Sequence, residues 1–411
     1  MKEMLPKLSF IALILVITSL PTFRSFTPIL IVLFALLTII HAVVNNAFRI
    51  SNKKIIFTGL AFFMVHLISV FYSENKDIAW FDIEVKLSLV LFPLLFSIDN
   101  KVISRNKNTI LVIFSSVVVL VNIYLLYIGM SNAQIVDYMH ITRDEVWRFS
   151  SEYFSKYIHP SYLSMYNLFV ISFLIKTLIN SKSTYKILLI FIISFLLITI
   201  FLLQAKAGFL ALGIVLLYII VLIFLNIKNR VIKYVLPIIL LVGIGYSISR
   251  NYRMQLMYNS VVEIIKTGDS KTSSTGVRFE IWKVTTSLIK QNIIFGVGAG
   301  DIKPELNKMY AEDSEYLEEA TERHLNVHNQ YLETWLGQGI IGFVLLMTLF
   351  VLALQLALKN KDNLLALFII IIMVNFFPES MLNNMHGVVF FSVFYYFLTL
   401  VNEEDLSYLE S

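Results

Sequence analysis

Three side chains, far apart in the chain, are placed to do chemistry: Lys206 in Gln204-Ala205-Lys206-Ala207-Gly208, Arg278 in Gly276-Val277-Arg278-Phe279-Glu280-Ile281-Trp282, and His328 in His328-Asn329-Gln330-Tyr331-Leu332. A guanidinium and an ammonium are cations that hold phosphate and other anions. An imidazole ordinarily titrates near neutral pH and can serve as a general base. Arg278 follows Ser/Thr residues able to cap a helix, so it falls in a first turn, where exposed amides and the positive dipole end already attract anions. A cation there is unfavourable for the helix unless an anion binds, which points to a phosphate partner. Each residue also has a plainer reading: Arg278 as a surface arginine paired with Glu280, His328 as an interfacial residue capping a helix, and Lys206 as a lysine snorkelling to the membrane edge.

Two weaker features accompany them, His159-Pro160-Ser161-Tyr162 and Glu379-Ser380. His324 and His328 have the i,i+4 spacing of a zinc pair, but no catalytic glutamate lies between them and no third ligand is evident, so no metal is expected. The run Gly296-Val297-Gly298-Ala299-Gly300 lacks the lysine of a nucleotide-binding loop and the strand–helix frame of a dinucleotide fold. It reads as a tight turn that lets backbones approach. Cysteine is absent, which removes thiolate nucleophiles and zinc–thiolate sites.

The elements that must position these residues are membrane helices. Of 411 residues, 57% are hydrophobic and only 15% charged, and the mean hydropathy is +0.76. A soluble domain carries about 25% charged residues, so a soluble enzyme, a disordered chain and a fibrous protein are all excluded. Apolar blocks of roughly spanning length must be helical, because lipid offers backbone amides no water. The expected fold is all-α, a polytopic membrane protein of about twelve transmembrane helices with a large extracytoplasmic loop before the tenth span. Spans are expected near Leu8–Leu20, Phe26–Val44, Ile55–Phe71, Val85–Ile98, Ile110–Met130 and Ser161–Leu178. They continue near Ile187–Leu203, Gly208–Leu225, Tyr234–Ile248, Gly339–Leu358, Leu364–Phe377 and Gly387–Val401. The first is not expected to be a cleaved signal, because Pro21 turns directly into the second.

Arg49, Lys53 and Lys54, Lys101, Arg105 and Lys107, Lys182 and Lys186, Lys228, Arg230 and Lys233, and Lys359 and Lys361 lie in loops that alternate with poorer ones. This bias sets the basic loops and both termini in the cytoplasm. It also accounts for the net charge of +5 without any nucleic-acid partner. Three regions follow: a bundle over residues 1–248, an outer subdomain over 249–338, and a closing bundle with a cytoplasmic tail over 339–411. The acidic run Glu312-Asp313-Ser314-Glu315, with Glu318, Glu319 and Glu322, reads as a solvated helix face.

Lys206, Arg278, His328, His159 and Glu379 all fall on the face opposite the basic loops. That placement suits an amphipathic substrate with its tail in lipid and a charged head outside. In this order, the small-residue turn with a basic residue, the Gly-x-Arg-x-x-x-Trp helix with its Gly-Val-Gly sequel, and the His-Asn-x-Tyr-Leu block with its Gly-x-x-Gly re-entry resemble the O-antigen ligase and polymerase superfamily. The resemblance implies a bacterial inner-membrane glycosyltransferase that moves a glycan from an undecaprenyl-diphosphate carrier to an acceptor hydroxyl on the periplasmic face. It implies no metal or other cofactor, and an acceptor that is a lipid core, a glycan or a protein. Arg278 and Lys206 would then hold the diphosphate and His328 would take the acceptor proton, with His159, Tyr162, Asn329, Tyr331 and Glu379 as secondary site residues. Lys206 stands where the family usually has an arginine, keeping the charge but losing the bidentate fork. The rival reading is a transporter or flippase of lipid-linked glycans. Such a protein would show related halves and polar residues near the bilayer midplane, and neither is evident here.

Overall fold

The computed structural model describes residues 2–48, 52–132, 150–151, 153–180, 183–226, 229–267, 274–312, 320 and 322–401. Arg49, Lys182, Lys228, most of the outer segment before Pro160, the polar stretch 268–273, the acidic positions 313–319 and the tail 402–411 lie outside the described residues.

Among the described residues the chain is helical. The first helices are α1 (Met4–Ser19), α2 (Thr27–Asn45), α3 (Lys53–Tyr72), α4 (Lys76–Lys86), α5 (Ser88–Leu95), α6 (Lys101–Arg105), α7 (Lys107–Asn132) and α8 (Pro160–Asn180). They are followed by α9 (Lys186–Leu203), α10 (Lys206–Asn226), α11 (Arg230–Arg250), α12 (Tyr252–Thr267), α13 (Ser274–Gln291), α14 (Ile302–Glu312), α15 (Gln330–Asn360), α16 (Asn363–Phe376) and α17 (Met385–Leu400). Seven of these, α2, α3, α7, α8, α9, α10 and α15, are long and apolar enough to cross a membrane, while α1, α16 and α17 are apolar but shorter. The protein is a multi-pass helical membrane protein.

Two boundaries differ from the hydropathy reading. The expected span at Val85–Ile98 is instead a pair of helices, α4 and α5, meeting at Leu87, and the first begins at Lys76. Hydropathy does not register α4 because it is polar: it carries Lys86, which is buried and ion-paired to Asp82 one turn away. The expected span at Gly339–Leu358 begins nine residues earlier, at Gln330, and α15 breaks at Gly339, where φ is +67° and ψ −169°.

At the centre of the bundle α17 is buried from His386 to Leu400. A helix that is apolar on every side belongs inside. Phe390 and Phe394 meet Phe114, Phe169 and Phe368 from the helices around it. A second apolar cluster lies outside this core, where Ile281, Leu288 and Ile289 of α13 pack with Leu306 and Tyr310 of α14, Val327 and Leu336.

The glycine turn ties that outer layer to the bundle. The amides of Val297 and Gly298 donate to Leu336 O and Gly337 O, and the amide of Ile340 donates to Ile293 O. The break at Gly339 frees these groups from the helix. A Cβ on Gly339 would sit 1.9 Å from Ile294 O, so no side chain fits there. Asp301 then closes the turn against the end of α3, accepting from the amides of Glu74 and Asn75 at 2.6 and 2.9 Å.

Candidate active site

The loop between α16 and α17 carries Glu379, and the residues singled out by the sequence gather around it. Arg278, on the first turns of α13, donates through Nη2 to Glu379 Oε1 at 3.1 Å and through Nη1 to Pro378 O at 2.8 Å. Its expected surface partner is engaged elsewhere, since Glu280 pairs with Lys283 at 2.8 Å. Ser161, at the start of α8, donates to the same Oε1 at 3.1 Å. His328 Nδ1 lies 3.4 Å from the other oxygen, Oε2.

Trp282, one turn after Arg278, explains the spacing of that motif. Its Nε1 donates to Val327 O at 3.0 Å, beside His328, and its ring meets Phe377 edge-on at 5.1 Å. Residues four apart share a helix face. One face of α13 therefore clamps both the histidine segment and the Glu379 loop.

His328 itself sits in the left-handed region, with φ +50°, a conformation rare for a residue with a Cβ. It is held there by its amide, which donates to Asn326 Oδ1 at 3.0 Å, and by the helix that starts immediately after it. Asn329 caps that helix, its side chain accepting from the amides of Tyr331 and Leu332. Tyr331 points into the bundle, donating to Met373 O at 2.8 Å. Asn329 and Tyr331 thus orient α15 and do not face Glu379.

Lys206 opens α10, half-buried, and donates to Ser274 Oγ and Thr275 Oγ1, each at 2.8 Å. The charges of Arg278, Arg253 and Glu379 all act on its ammonium. It therefore adjoins the Arg278 helix without touching Glu379. His159 precedes α8 and its charge also acts on Glu379. Its ring meets Tyr162 edge-on at 6.0 Å, and Tyr162 lies against His386 at 5.8 Å.

Burial by itself would raise the Glu379 carboxyl. The hydrogen bond from His328 and the charges of Arg278, His159 and His328 outweigh it and hold the group down at about 2. Glu379 is a fixed anion, and the cations around it are held by their attraction to it. The N-terminal ends of α8, α10, α13, α15 and α17 meet here, adding partial positive charge. Among the described residues no group of three or more His, Asp or Glu side chains is placed to hold a metal ion.

The sequence pattern placed Ser161 only within the His159-Pro160-Ser161-Tyr162 feature, without a role, and gave none to the carbonyl of Pro378 or to Glu333. The buried Glu333 carboxylate accepts from Ser380 Oγ at 2.7 Å and from Asn383 Nδ2 at 2.6 Å. A carboxylate in a helix first turn already has a dipole to satisfy, so the pattern gave no cause to look further.

Residues 189–347 match the family described as O-antigen ligase. That segment contains Lys206, Arg278 and His328, and ends before Glu379. An uncharacterised protein of Haemophilus influenzae is 26% identical over 137 residues, which is 32% of this chain and 34% of that protein. The match with this curated relative thus spans about a third of its length.

Proposed function

We propose that this chain, with an O-antigen ligase family segment over residues 189–347, is a membrane glycosyltransferase that moves a glycan from an undecaprenyl-diphosphate carrier to an acceptor hydroxyl. About twelve crossings, both termini in the cytoplasm and a site on the periplasmic face of the inner membrane complete the reading. The observation that carries it is the meeting of Arg278 and His328 on one buried carboxylate, with Lys206 beside them.

His328 Nδ1 faces Glu379, so the Nδ1 proton points to the carboxylate and Nε2 keeps its lone pair. Nε2 takes the acceptor's proton as the acceptor oxygen bonds to the anomeric carbon. The bond from that carbon to the diphosphate oxygen breaks, and the electron pair leaves with the lipid diphosphate. Arg278 and Lys206 neutralise the growing charge on that leaving group. Glu379 stabilises the imidazolium that forms, and a carboxyl held at about 2 is too weak a base to compete for the proton. No covalent intermediate is required, since a lipid diphosphate leaves readily. The acceptor is a lipid core, a glycan or a protein, all of which use the same donor chemistry.

A transporter would place its polar groups along a passage near the midplane. Here they gather at the ends of α8, α10, α13 and α15, which supports the enzyme. Replacing Arg278 or His328 with Ala is expected to abolish glycan transfer while the protein still inserts normally. Undiminished product in cells complemented with either variant refutes the assignment.

A further inference from the structure

Glu333 has no hydrogen bond to Glu379 or His328, yet it bonds the segments that carry both of them. It occupies the first turn of α15 and is buried. Its Oε2 accepts from Ser380 Oγ at 2.7 Å, and Ser380 Oγ accepts in turn from the amide of Asn329 at 3.3 Å. Its Oε1 accepts from Asn383 Nδ2 at 2.6 Å. Gln330, on the same turn, accepts from the amide of Leu382 at 2.7 Å. Asn383 Oδ1 also receives Lys86 Nζ at 3.4 Å, and Lys86 is paired to Asp82, so a cation from α4 partly offsets the buried charge.

Between Phe377 and Asn384 the chain has only a short 3-10 turn, Met381–Asn383. Its shape is therefore set by these contacts. One end of the Glu379 loop is held by Arg278 through Pro378 O, and the other by Glu333. The helix turn that grips this loop is continuous with the segment bearing His328. The 3.4 Å separation of His328 and Glu379 is thus set from two sides, by α13 through Arg278 and by the first turn of α15 through Glu333.

We propose that Glu333 is a positioning residue for glycan transfer: through Ser380 and Asn383 it presents Glu379 to His328 and Arg278, using its two acceptor oxygens and not its charge. The proposal rests on the transferase reading above. A displacement of about 1 Å at such a site costs about 100-fold in rate. Glu333→Ala should accordingly lower kcat by about 100-fold with little change in KM for the lipid-linked donor. Glu333→Gln should restore activity to within about fivefold. Its amide oxygen can still accept from Asn383, and the Ser380 hydroxyl can turn to accept from the amide NH2.

In a Glu379→Gln background the Ala substitution should add little further loss, because coupled residues are not additive. A Gln variant as impaired as Ala overturns the proposal, since the charge itself would then be needed. Full additivity with Glu379→Gln also overturns it. Should Glu333→Ala fail to fold, Ser380→Ala removes one of the two contacts and should give an intermediate loss; wild-type kcat in that variant counts against the idea.

One readout is independent of transfer. Titration of the 13C-labelled Glu379 carboxyl, faced by His328, Arg278, His159, Ser161 and the charge of Lys206, should move from about 2 upward by about one unit or more in Glu333→Ala. An unmoved titration refutes the positioning role, even if the wild-type protein proves to transfer no glycan.

Discussion

Glu379→Gln is the most informative single substitution, because its effect on stability must depend on pH in a known direction. The carboxyl stands at about 2 against an ordinary 4.5, a depression of about 2.5 units, or about 3 kcal/mol at ~1.4 kcal/mol per unit. The side chain is 15% exposed, so solvent screening removes little of this. A folded-state value below the unfolded one means the contribution is complete above about pH 4.5 and is lost as the pH falls toward 2. Linkage puts the loss at about 2 kcal/mol by pH 3. The variant, which has no charge to lose, should therefore be less stable than wild type by about 3 kcal/mol at pH 7, and the gap should narrow to about 1 kcal/mol at pH 3. Thermal or denaturant unfolding of detergent-purified wild type and variant at the two pH values measures this directly. A gap that is absent at pH 7, or that stays constant between pH 7 and 3, would refute the reasoning that Arg278, His328 and His159 hold Glu379 as an anion.

Lys206→Arg should keep at least wild-type transfer, because it retains the charge and adds a fork suited to phosphate, whereas Lys206→Met should lose at least about tenfold in kcat; equal activity in the Met variant removes Lys206 from the site. Gly339→Ala places a Cβ 1.9 Å from Ile294 O at a φ of +67° and should cost about 3 kcal/mol or more. Gly213→Ala, with nothing within 4 Å of its Cβ, should be neutral or stabilising by up to about 1 kcal/mol. The two are compared by unfolding in the same detergent, and equal stability would contradict the backbone packing described at the glycine turn.

Much of this was legible in the residues. Apolar blocks announce membrane helices because lipid leaves the backbone no alternative, and Arg278 and His328 stand out because ionisable groups at a membrane edge need a reason to be there. Hydropathy failed at Lys86, a charged residue that is buried while paired with Asp82. It failed also at Gln330, where polar residues at the top of α15 turn inward to hold the Glu379 loop. Both features depend on which distant segment arrives opposite, and a local pattern does not encode that. Asn329 and Tyr331 show the converse: they stand in a distinctive motif, yet cap and brace the helix that follows His328.

The placement of Glu379 just before α17 has a consequence for biogenesis. Lys206, Arg278 and His328 all leave the ribosome earlier than the carboxylate that organises them, and that carboxylate is set in place only once α17 threads into the middle of the helices already inserted. A nascent or prematurely stopped chain therefore carries its cations and its imidazole without their anchor. The carboxylate cluster would then be complete only after α17 has packed among the other helices.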